Sequence, residues 1–214
     1  MESVKTSSKT ALRRALHALR GGRTIIYPTE TVYGLGCDAA NERAVRNVFQ
    51  AKNRSAQKFV ILLLPSIAQA RKYFLLSPAA AALARRFMPG AVTLVAKVSP
   101  LGKKKLAPSV IPAARKGNAS FRISSHSFAN ALVKAFGKPI VSTSANLSGK
   151  APARSPNEIK RDFNGKIGLL CDGGTLRRKK PSTIVDCTRS PPAIIREGAK
   201  AREVNKFLKS RAGK

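Results

Sequence analysis

Hydroxyl side chains follow a predicted strand near the start of this 214-residue chain. Residues 24–27 are β-branched or aromatic and precede Pro28, which predicts a short buried strand. The loop at residues 28–36 is rich in hydroxyls, those of Thr29, Thr31 and Tyr33, and is closed by Gly34 and Gly36, which allow a tight turn or a close backbone approach to a bound group. Such a loop is where an open α/β sheet usually binds its ligand. An ordinary turn with solvated threonines has the same composition, so this loop alone leaves both interpretations open.

Two further stretches are suited to binding an anion. Residues 142–149 place hydroxyls and an amide directly after a predicted strand, which makes a group of donors fit for phosphate. An Asn or Ser turn is the alternative interpretation. Arg122 lies in a predicted strand among apolar or small neighbours, where an arginine needs an anionic partner. No acidic residue is near it in sequence, so a bound carboxylate or phosphate is favoured over an internal salt bridge.

The formal charge of +31 is the unusual property of the composition. No acidic residue occurs between Glu42 and Glu158, so a catalytic carboxylate cannot come from this interval, and a ligand held there is expected to be anionic. For most of the lysines we favour a solvated basic surface with salt-dependent, non-specific attraction for RNA. The three widely spaced cysteines indicate a reducing compartment, and they support neither a disulfide framework nor a metal site.

The order of predicted elements indicates an α/β fold whose sheet is twisted, mixed and open and is flanked by helices. The domain is expected at residues 9–199, with a polar tail at 1–8 and a basic tail at 200–214 whose apolar residues have helical spacing. Residues 99–117 are expected to form a long mobile loop that acts as a lid or an RNA contact. No membrane span or secretory signal is found, and a cytoplasmic location is expected.

Several short motifs occur in an order that resembles the YrdC/Sua5 family, the L-threonylcarbamoyladenylate synthases, and in particular its short TsaC-like members. The resemblance covers residues 10–199. It implies a single YrdC-like domain with a concave basic cleft. The motifs are Pro-Thr-Glu-Thr-Val-Tyr-Gly-Leu-Gly at 28–36, Lys52-Asn53-Arg54, Pro89-Gly90, Phe121-Arg122-Ile123, Ser-Thr-Ser-Ala-Asn at 142–146, Ser182-Thr183-Ile184 and Ile195-Arg196-Glu197-Gly198.

The family resemblance also implies an activity. A member of this family is a nucleotidyltransferase that makes threonylcarbamoyl-AMP and pyrophosphate from L-threonine, bicarbonate and ATP, usually with Mg²⁺. The product serves the t6A37 modification of tRNA. The implied partners are therefore these substrates, tRNA or double-stranded RNA, and tRNA-modifying proteins.

Two sets of binding residues follow from the matched motifs. Arg122 is expected to pair with the threonine carboxylate, and the cations of the ATP set are expected to face phosphate. Lys52 and Arg54 are the expected catalytic cations; no side chain is assigned as a nucleophile or as a metal ligand. The threonine set is Thr31, Arg122, Ser142 and Ser182, and the ATP set is Lys52, Arg54, Lys58, Ser144, Asn146 and Arg196.

Two departures from the family pattern affect turns rather than ligands. Ser55 follows Arg54 where the family usually has proline, and Ala91 follows Pro89-Gly90 where it often has a second proline. Both changes are expected to loosen a turn.

Two other functions are considered. The first is an RNA-binding module in ribosome maturation. The charge of the chain favours this function, whereas the low aromatic content of 6% and the lack of a recognisable RNA-binding motif argue against it. The second is a carbamoyltransferase of hydrogenase maturation, which is expected to bring extra domains and cysteine-rich zinc sites.

Overall fold

The computed structural model describes residues 1–53 and 60–212, and it confirms the predicted α/β class and mixed sheet. Eleven strands are described, and all join one sheet. They are β1 (Glu2–Lys5), β2 (Ile25–Tyr27), β3 (Gly34–Asp38), β4 (Ile61–Leu63), β5 (Phe74–Leu75), β6 (Val92–Val98), β7 (Asn118–Arg122), β8 (Ile140–Ser144), β9 (Leu169–Asp172), β10 (Thr183–Asp186) and β11 (Ala193–Arg196). Their order is β1-β9-β2-β3-β8-β4-β7-β6-β10-β11, with β5 paired to β6.

Five of the eight helices in the described chain begin at a side chain that caps them. Asn41, Ser66, Ser77, Ser99 and Ser155 each accept a hydrogen bond from the backbone N–H three residues further on. Proline directly follows the last three of these caps, at a position where no backbone donor is needed. In the described chain the helices are α1 (Ala11–Arg20), α2 (Glu42–Ala51), α3 (Ile67–Tyr73), α4 (Pro78–Phe87), α5 (Pro100–Lys105), α6 (Ser127–Phe136), α7 (Pro156–Phe163) and α8 (Ala201–Ala212).

The register of strand pairing decides which side chains share a face of the sheet. Gly36 in β3 is opposite Ser142 in β8, and Ser142 is opposite Ile61 in β4. Ile61 is in turn opposite Ser120 in β7. Directly paired residues point to the same side, as do residues two apart along a strand. This side, which we call the serine face, therefore also carries Arg122, two residues beyond Ser120.

Two hydrophobic clusters cover the two sides of the sheet. The larger packs side chains of α2, α4 and α7 against strand residues such as Leu35 and Leu62, on the side opposite the serine face. The smaller packs α1 and α6 against Ile25 and Leu63, which lie on the serine face because Ile25 is opposite Gly36. Helices α1 and α6 cover only part of that face, and the cavity described below opens on the part that they leave uncovered.

Two segments differ from the sequence-based expectation because short strands give little pattern. The polar tail expected at residues 1–8 contains β1, which pairs in parallel with β9. Val4 is the single apolar residue of β1, so no alternation indicates a strand there. The loop expected at 28–36 ends early, since Gly34 and Gly36 lie in β3 and pair with β8.

The long mobile loop expected at residues 99–117 is instead a compact segment. It forms α5 and two 3₁₀ turns, Pro108–Val110 and Ala113–Arg115. A Cβ at Gly102 would lie 2.4 Å from the Tyr73 carbonyl oxygen, so glycine permits α5 to pack closely on the end of α3. The Ser-Pro helix start at residues 99–100 was the missed signal.

The segment after residue 200 is helical, as the spacing of its apolar residues predicts. Val204 of α8 is buried in the larger cluster, and Phe207 and Leu208 pack against that cluster. The domain limit at residue 199 stays a prediction. Among the described helices, none has the length and apolar character that crossing a membrane requires.

Candidate active site

A cavity of about 490 Å³ opens on the serine face of the sheet. Strands β3, β4, β7 and β8 contribute to its lining from one side, and the segments around residues 182 and 196 contribute from the other. Within the described part of the chain, two arginines and several hydroxyls line it and no Asp or Glu does, so it is suited to anionic ligands. The predicted site residues that line it are Thr31, Arg122, Ser142, Ser144, Ser182 and Arg196.

Arg122 lies at the end of β7 and is 5% exposed. Its Nη1 donates to Thr31 Oγ1 over 3.2 Å and lies 3.4 Å from Glu30 Oε1. The sequence favoured a bound anion over an internal salt bridge as the partner of Arg122. The absence of an internal salt bridge was wrong, because the loop after β2 brings Glu30 close to β7. Arg122 Nε is buried without a hydrogen-bond partner among the described residues, so the guanidinium retains capacity for a ligand.

Glu30 contacts Arg122 but does not line the cavity. Its Oε2 accepts a hydrogen bond from Ser124 Oγ, while Oε1 is buried, faces the arginine and has no hydrogen-bond partner among the described residues. The side chain is 13% exposed. Arg122 therefore supplies the positive charge that compensates this carboxylate, and Glu30 restricts the orientation of the guanidinium.

Ser182 and Arg196 form a second cationic corner of the cavity. Arg196 in β11 donates from Nε and Nη2 to the Ser182 carbonyl oxygen, at 3.2 Å and 2.8 Å, and from Nη2 to Ser182 Oγ at 3.0 Å. Ser182 Oγ also lies 2.8 Å from Thr93 Oγ1. A cross-strand network thus holds Arg196 in place beside the cavity.

Lys52 lies at the C-terminal cap of α2, as predicted, but its ammonium does not line the cavity. The side chain is buried, and Nζ donates to the carbonyl oxygen of Ser144, to the carbonyl oxygen of Asn146 at 2.7 Å and to Asn146 Oδ1 at 3.0 Å. Asn146 Oδ1 also accepts a 2.6 Å hydrogen bond from Ser144 Oγ. In this structure Lys52 and Asn146 therefore fix the backbone of the serine-rich segment at its turn.

Arg54 and Lys58, the other cations predicted for the ATP set, lie outside the described residues. Asn146 is not among the cavity-lining residues either; its Nδ2 donates to the carbonyl oxygens of Leu147 and Lys150, at 3.0 Å and 2.6 Å. The roles of these three residues in ATP binding stay predictions.

The loop after β2 contributes lining residues that were not assigned from the sequence, Thr29 and Tyr33 among them. Thr29 Oγ1 donates to the Val32 carbonyl oxygen over 2.6 Å, which closes the loop on itself. Tyr33 donates through its hydroxyl to the Gly174 carbonyl oxygen at 2.7 Å, and burial raises the pKa of Tyr33 to about 12. A neutral Tyr33 thus ties the loop to the turn after β9.

Gly34 keeps the floor of the cavity open between β3 and β8. A Cβ at this position would lie 2.9 Å from Ser142 Oγ and 3.5 Å from Thr29 Cγ2. Any other residue would therefore displace the Ser142 hydroxyl or fill the cavity. The register of the two strands, which the sequence does not display, is what makes this glycine part of the site.

A metal site built from several protein ligands is not present in the described residues. No group of three or more His, Cys, Asp or Glu side chains in residues 1–53 and 60–212 could hold an ion. The polar side chains that line the cavity are guanidinium and hydroxyl groups, and no carboxylate, the usual protein ligand of Mg²⁺, is among the described lining residues.

The fold and the cavity define an α/β protein with a mixed open sheet and a cationic, hydroxyl-lined cavity on one of its faces. The family model for Sua5, YciO and YrdC, described as telomere recombination, matches residues 17–198. The chain belongs to this family.

Relatives and a solved structure agree with this membership. A threonylcarbamoyl-AMP synthase of Pyrococcus abyssi is 38% identical over 188 residues, which are 87% of this chain and 54% of that protein. A Thiobacillus denitrificans protein of the same name is 36% identical over 84% of this chain and 93% of its own length. The structure of P. abyssi Sua5 complexed with L-threonine is similar at 33% identity and a TM-score of 0.86, over 97% of this chain and 60% of that one. The chain thus spans about half the length of the first relative and nearly all of the second.

Proposed function

We propose that the chain is an L-threonylcarbamoyladenylate synthase, a nucleotidyltransferase that joins L-threonine, bicarbonate and ATP. The observation that carries this proposal is the convergence of Thr31, Arg122, Ser142 and Ser182 with Ser144 and Arg196 on one cavity. Relatives that match most of this chain are named threonylcarbamoyl-AMP synthase, and a structural relative was solved with L-threonine.

Arg122 is the proposed site for the threonine carboxylate. Its guanidinium is buried, has an unpartnered Nε and adjoins the hydroxyl of Thr31. A planar guanidinium can bind a carboxylate through two parallel hydrogen bonds, which fixes the orientation of the amino acid. Thr31 and Ser142 supply hydroxyls on the same lining for the polar groups of threonine.

The proposed nucleotide side of the cavity is formed by Ser144 and Arg196. Arg196 is held by Ser182 and contributes positive charge toward phosphate, while Ser144 offers a hydroxyl at the end of β8. Lys52 acts here as a positioning residue, because its hydrogen bonds hold the backbone of the serine-rich turn. Arg54 and Lys58 remain proposed phosphate contacts on the strength of the family motif.

The proposed reaction needs positioning and charge neutralisation more than a protein nucleophile. The threonine nitrogen forms a bond with the bicarbonate carbon, and water leaves. A carbamate oxygen then forms a bond with the α-phosphorus of ATP, while the bond between that phosphorus and the bridging oxygen breaks and releases pyrophosphate. The reactants are anionic, so a lining of arginines and hydroxyls without carboxylates favours their close approach.

Further features of the proposal come from the family. Mg²⁺ is proposed to accompany the triphosphate, the product is proposed to serve t6A37 modification of tRNA together with tRNA-modifying proteins, and the site of action is proposed to be the cytoplasm.

The proposal is tested by measuring pyrophosphate release from the purified protein. With ATP, bicarbonate and threonine present, release should occur, and omission of threonine should abolish it. Arg122→Lys is a matched variant because it keeps the charge but loses the planar fork. Loss of one charge-assisted hydrogen bond should raise the KM for threonine about tenfold to one hundredfold with little change in the KM for ATP.

Two outcomes would overturn the synthase assignment. One is pyrophosphate release that is indifferent to threonine, and the other is an absence of release when all three substrates are supplied to folded protein.

A further inference from the structure

Tyr27 is a buried polar residue to which the proposed reaction gives no role. It ends β2, is fully buried in the smaller hydrophobic cluster and does not line the cavity. Its hydroxyl oxygen is buried and has no hydrogen-bond partner among the described residues. Most buried polar groups in proteins are hydrogen-bonded, so an unpartnered hydroxyl in the core requires a physical reason.

Two glycines allow the ring of Tyr27 to reach from β2 across β3 toward β8. Tyr27 is opposite Gly34, and Gly36 is opposite Ser142, so these positions all face the same side of the sheet. A Cβ at Gly34 would lie 3.5 Å from Tyr27 Cε2. A Cβ at Gly36 would lie 3.1 Å from both Tyr27 Cε1 and the Tyr27 hydroxyl oxygen. The ring therefore lies across the backbone of β3, and its hydroxyl is on the side of β3 that faces β8.

The hydroxyl of Tyr27 is a neighbour of Ser142, whose side chain lines the cavity. Burial raises the pKa of Tyr27 far above its ordinary value, and the nearby hydroxyl of Ser142 and the charge of Arg122 lower it only in part. Tyr27 is therefore neutral and keeps its proton. The two hydroxyls are adjacent, but no hydrogen bond joins them in this arrangement.

The hydrogen-bonding capacity of two adjacent hydroxyls indicates what the pair can do. A hydroxyl donates one hydrogen bond and accepts up to two. Ser142 Oγ is the neighbouring acceptor that the structure offers to the Tyr27 hydroxyl. If Tyr27 donates to Ser142, the proton of Ser142 points away from Tyr27 and is available in the cavity. A carboxylate bound at Arg122 can only accept hydrogen bonds, so it is the matching partner for that proton.

We propose that Tyr27 is a positioning residue that donates to Ser142 Oγ when threonine binds and so directs the Ser142 proton to the threonine carboxylate beside Arg122. This inference rests on the proposed function and adds to it a residue that acts through Ser142 without touching the substrate. Hydrogen bonds in a chain polarise one another, so Ser142 becomes a stronger donor when it accepts from Tyr27. Threonine binding then also pairs a hydroxyl that is otherwise buried without a partner.

Tyr27→Phe tests the proposal because it removes the hydroxyl and keeps the ring. The Kd and the KM for threonine should increase about threefold to tenfold, as expected for the loss of one hydrogen bond between neutral groups. The KM for ATP should not change. The Tm should equal or exceed that of the wild type, because the variant removes an unpartnered hydroxyl from the core.

Tyr73→Phe is the matched control. Tyr73 ends α3, is partly buried against the larger hydrophobic cluster on the opposite side of the sheet and does not line the cavity. Removal of its hydroxyl should leave both the Kd and the KM for threonine unchanged.

A double-mutant cycle with Ser142→Ala shows whether Tyr27 acts through Ser142. Once the serine hydroxyl is absent, Tyr27→Phe should cause no further loss of threonine affinity. A spectroscopic measurement gives independent evidence, because the chain contains three tyrosines and no tryptophan. Threonine should shift part of the near-ultraviolet tyrosine absorption to longer wavelength in the wild type. That part should be missing in Tyr27→Phe and in Ser142→Ala.

Three results would overturn the proposal. One is an unchanged threonine affinity in Tyr27→Phe, with or without a lower Tm. Another is an equal loss of affinity for threonine and for ATP. The third is a Tyr27→Phe effect that has the same size in the wild type and in Ser142→Ala. Calorimetry measures threonine binding without turnover, so a wild type that binds threonine but releases no pyrophosphate would count against the synthase assignment alone.

Discussion

The Glu30 carboxylate lies 3.4 Å from the Arg122 guanidinium, to which it is brought by the loop after β2. Both side chains are largely buried, at 13% and 6% exposure. The proposed substrate carboxylate would approach the same guanidinium, whose Nε has no partner among the described residues. Glu30 therefore supplies one negative charge to Arg122 before a substrate supplies another.

Glu30→Gln should destabilise the ligand-free protein and increase the stabilisation that threonine provides. Glutamine can keep the hydrogen bond with Ser124 but removes the charge opposite Arg122. Breaking a buried ion pair on one side costs about 3–5 kcal/mol, and a bound carboxylate restores the missing charge. Scanning calorimetry with and without threonine measures both effects as shifts in Tm.

Glu203→Gln is the matched control, because Glu203 forms an exposed pair with Lys200 at 2.9 Å. It should change neither Tm nor the threonine-dependent shift. An equal threonine-dependent shift in Glu30→Gln and in the wild type would contradict a charge-supplying role for Glu30.

Gly34→Ala and Gly36→Ala should have different effects although both residues lie in β3. A Cβ at Gly34 would meet the rotatable Ser142 hydroxyl at 2.9 Å, so this variant should fold but bind threonine more weakly. A Cβ at Gly36 would lie 2.1 Å from the Val141 carbonyl oxygen, which forces β3 and β8 apart. The second variant should lose about 1–3 kcal/mol of stability. Urea unfolding and threonine titration separate the two, and similar results for both variants would contradict this distinction.

Lys52→Met should destabilise the protein and weaken ATP binding through the serine-rich turn. Lys52 Nζ donates hydrogen bonds to the carbonyl oxygens of Ser144 and Asn146. Each buried acceptor that is left without a donor costs about 1–3 kcal/mol of stability. A double-mutant cycle with Asn146→Ala, measured by urea unfolding and ATP calorimetry, should give a coupling energy of about 0.5–3 kcal/mol in stability. Additive effects on stability with loss of ATP binding only in Lys52→Met would indicate a direct phosphate contact instead.

The buried thiols should make the protein less stable at alkaline pH. Burial raises the pKa of Cys171 and of Cys187 from 9.0 to about 12. A folded-state pKa above the unfolded value means that the contribution is full below pH 9 and is lost as the pH rises toward 12. The free energy of unfolding should therefore fall by up to about 1.4 kcal/mol per pH unit for each thiol in that window.

Urea unfolding at neutral pH and at steps above pH 9 measures this loss. The Cys171→Ala and Cys187→Ala double variant is the control, since it should lose the part of the slope that these two thiols contribute, while Cys37, whose pKa burial also raises, and other groups still titrate. The native thiols should also react slowly with an alkylating reagent at neutral pH and rapidly after unfolding. Fast alkylation of the folded protein would contradict their burial.

Much of the cavity was predictable from the sequence because its residues stand at strand ends within matched motifs. Thr31, Arg122, Ser142 and Arg196 were assigned to the site in this way, and the structure brings them to one cavity. The strands around them were recognisable from short apolar runs bounded by glycine or proline. The assignment of ligands to these residues stays a proposal.

Other parts of the site depend on contacts that no local pattern shows. The approach of Glu30 to Arg122 results from a loop returning to a strand far along the chain, and the importance of Gly34 results from the register of β3 against β8. The position of a cation at the end of α2 was predictable from the sequence. The direction of its side chain was not predictable, since Lys52 Nζ points toward backbone carbonyl oxygens. Helix α5 was missed because turn residues outnumber apolar ones in its sequence.

The two sides of the cavity differ in how firmly the sheet supports them. Ser142 lies on β8, which is hydrogen-bonded to β3 on one side and to β4 on the other. Arg196 lies on β11, which ends the sheet and pairs with β10 alone among the described strands. Local unfolding of an edge strand breaks fewer interstrand hydrogen bonds than local unfolding of an interior strand. Amide protons of β11 should therefore exchange with solvent before those of β8.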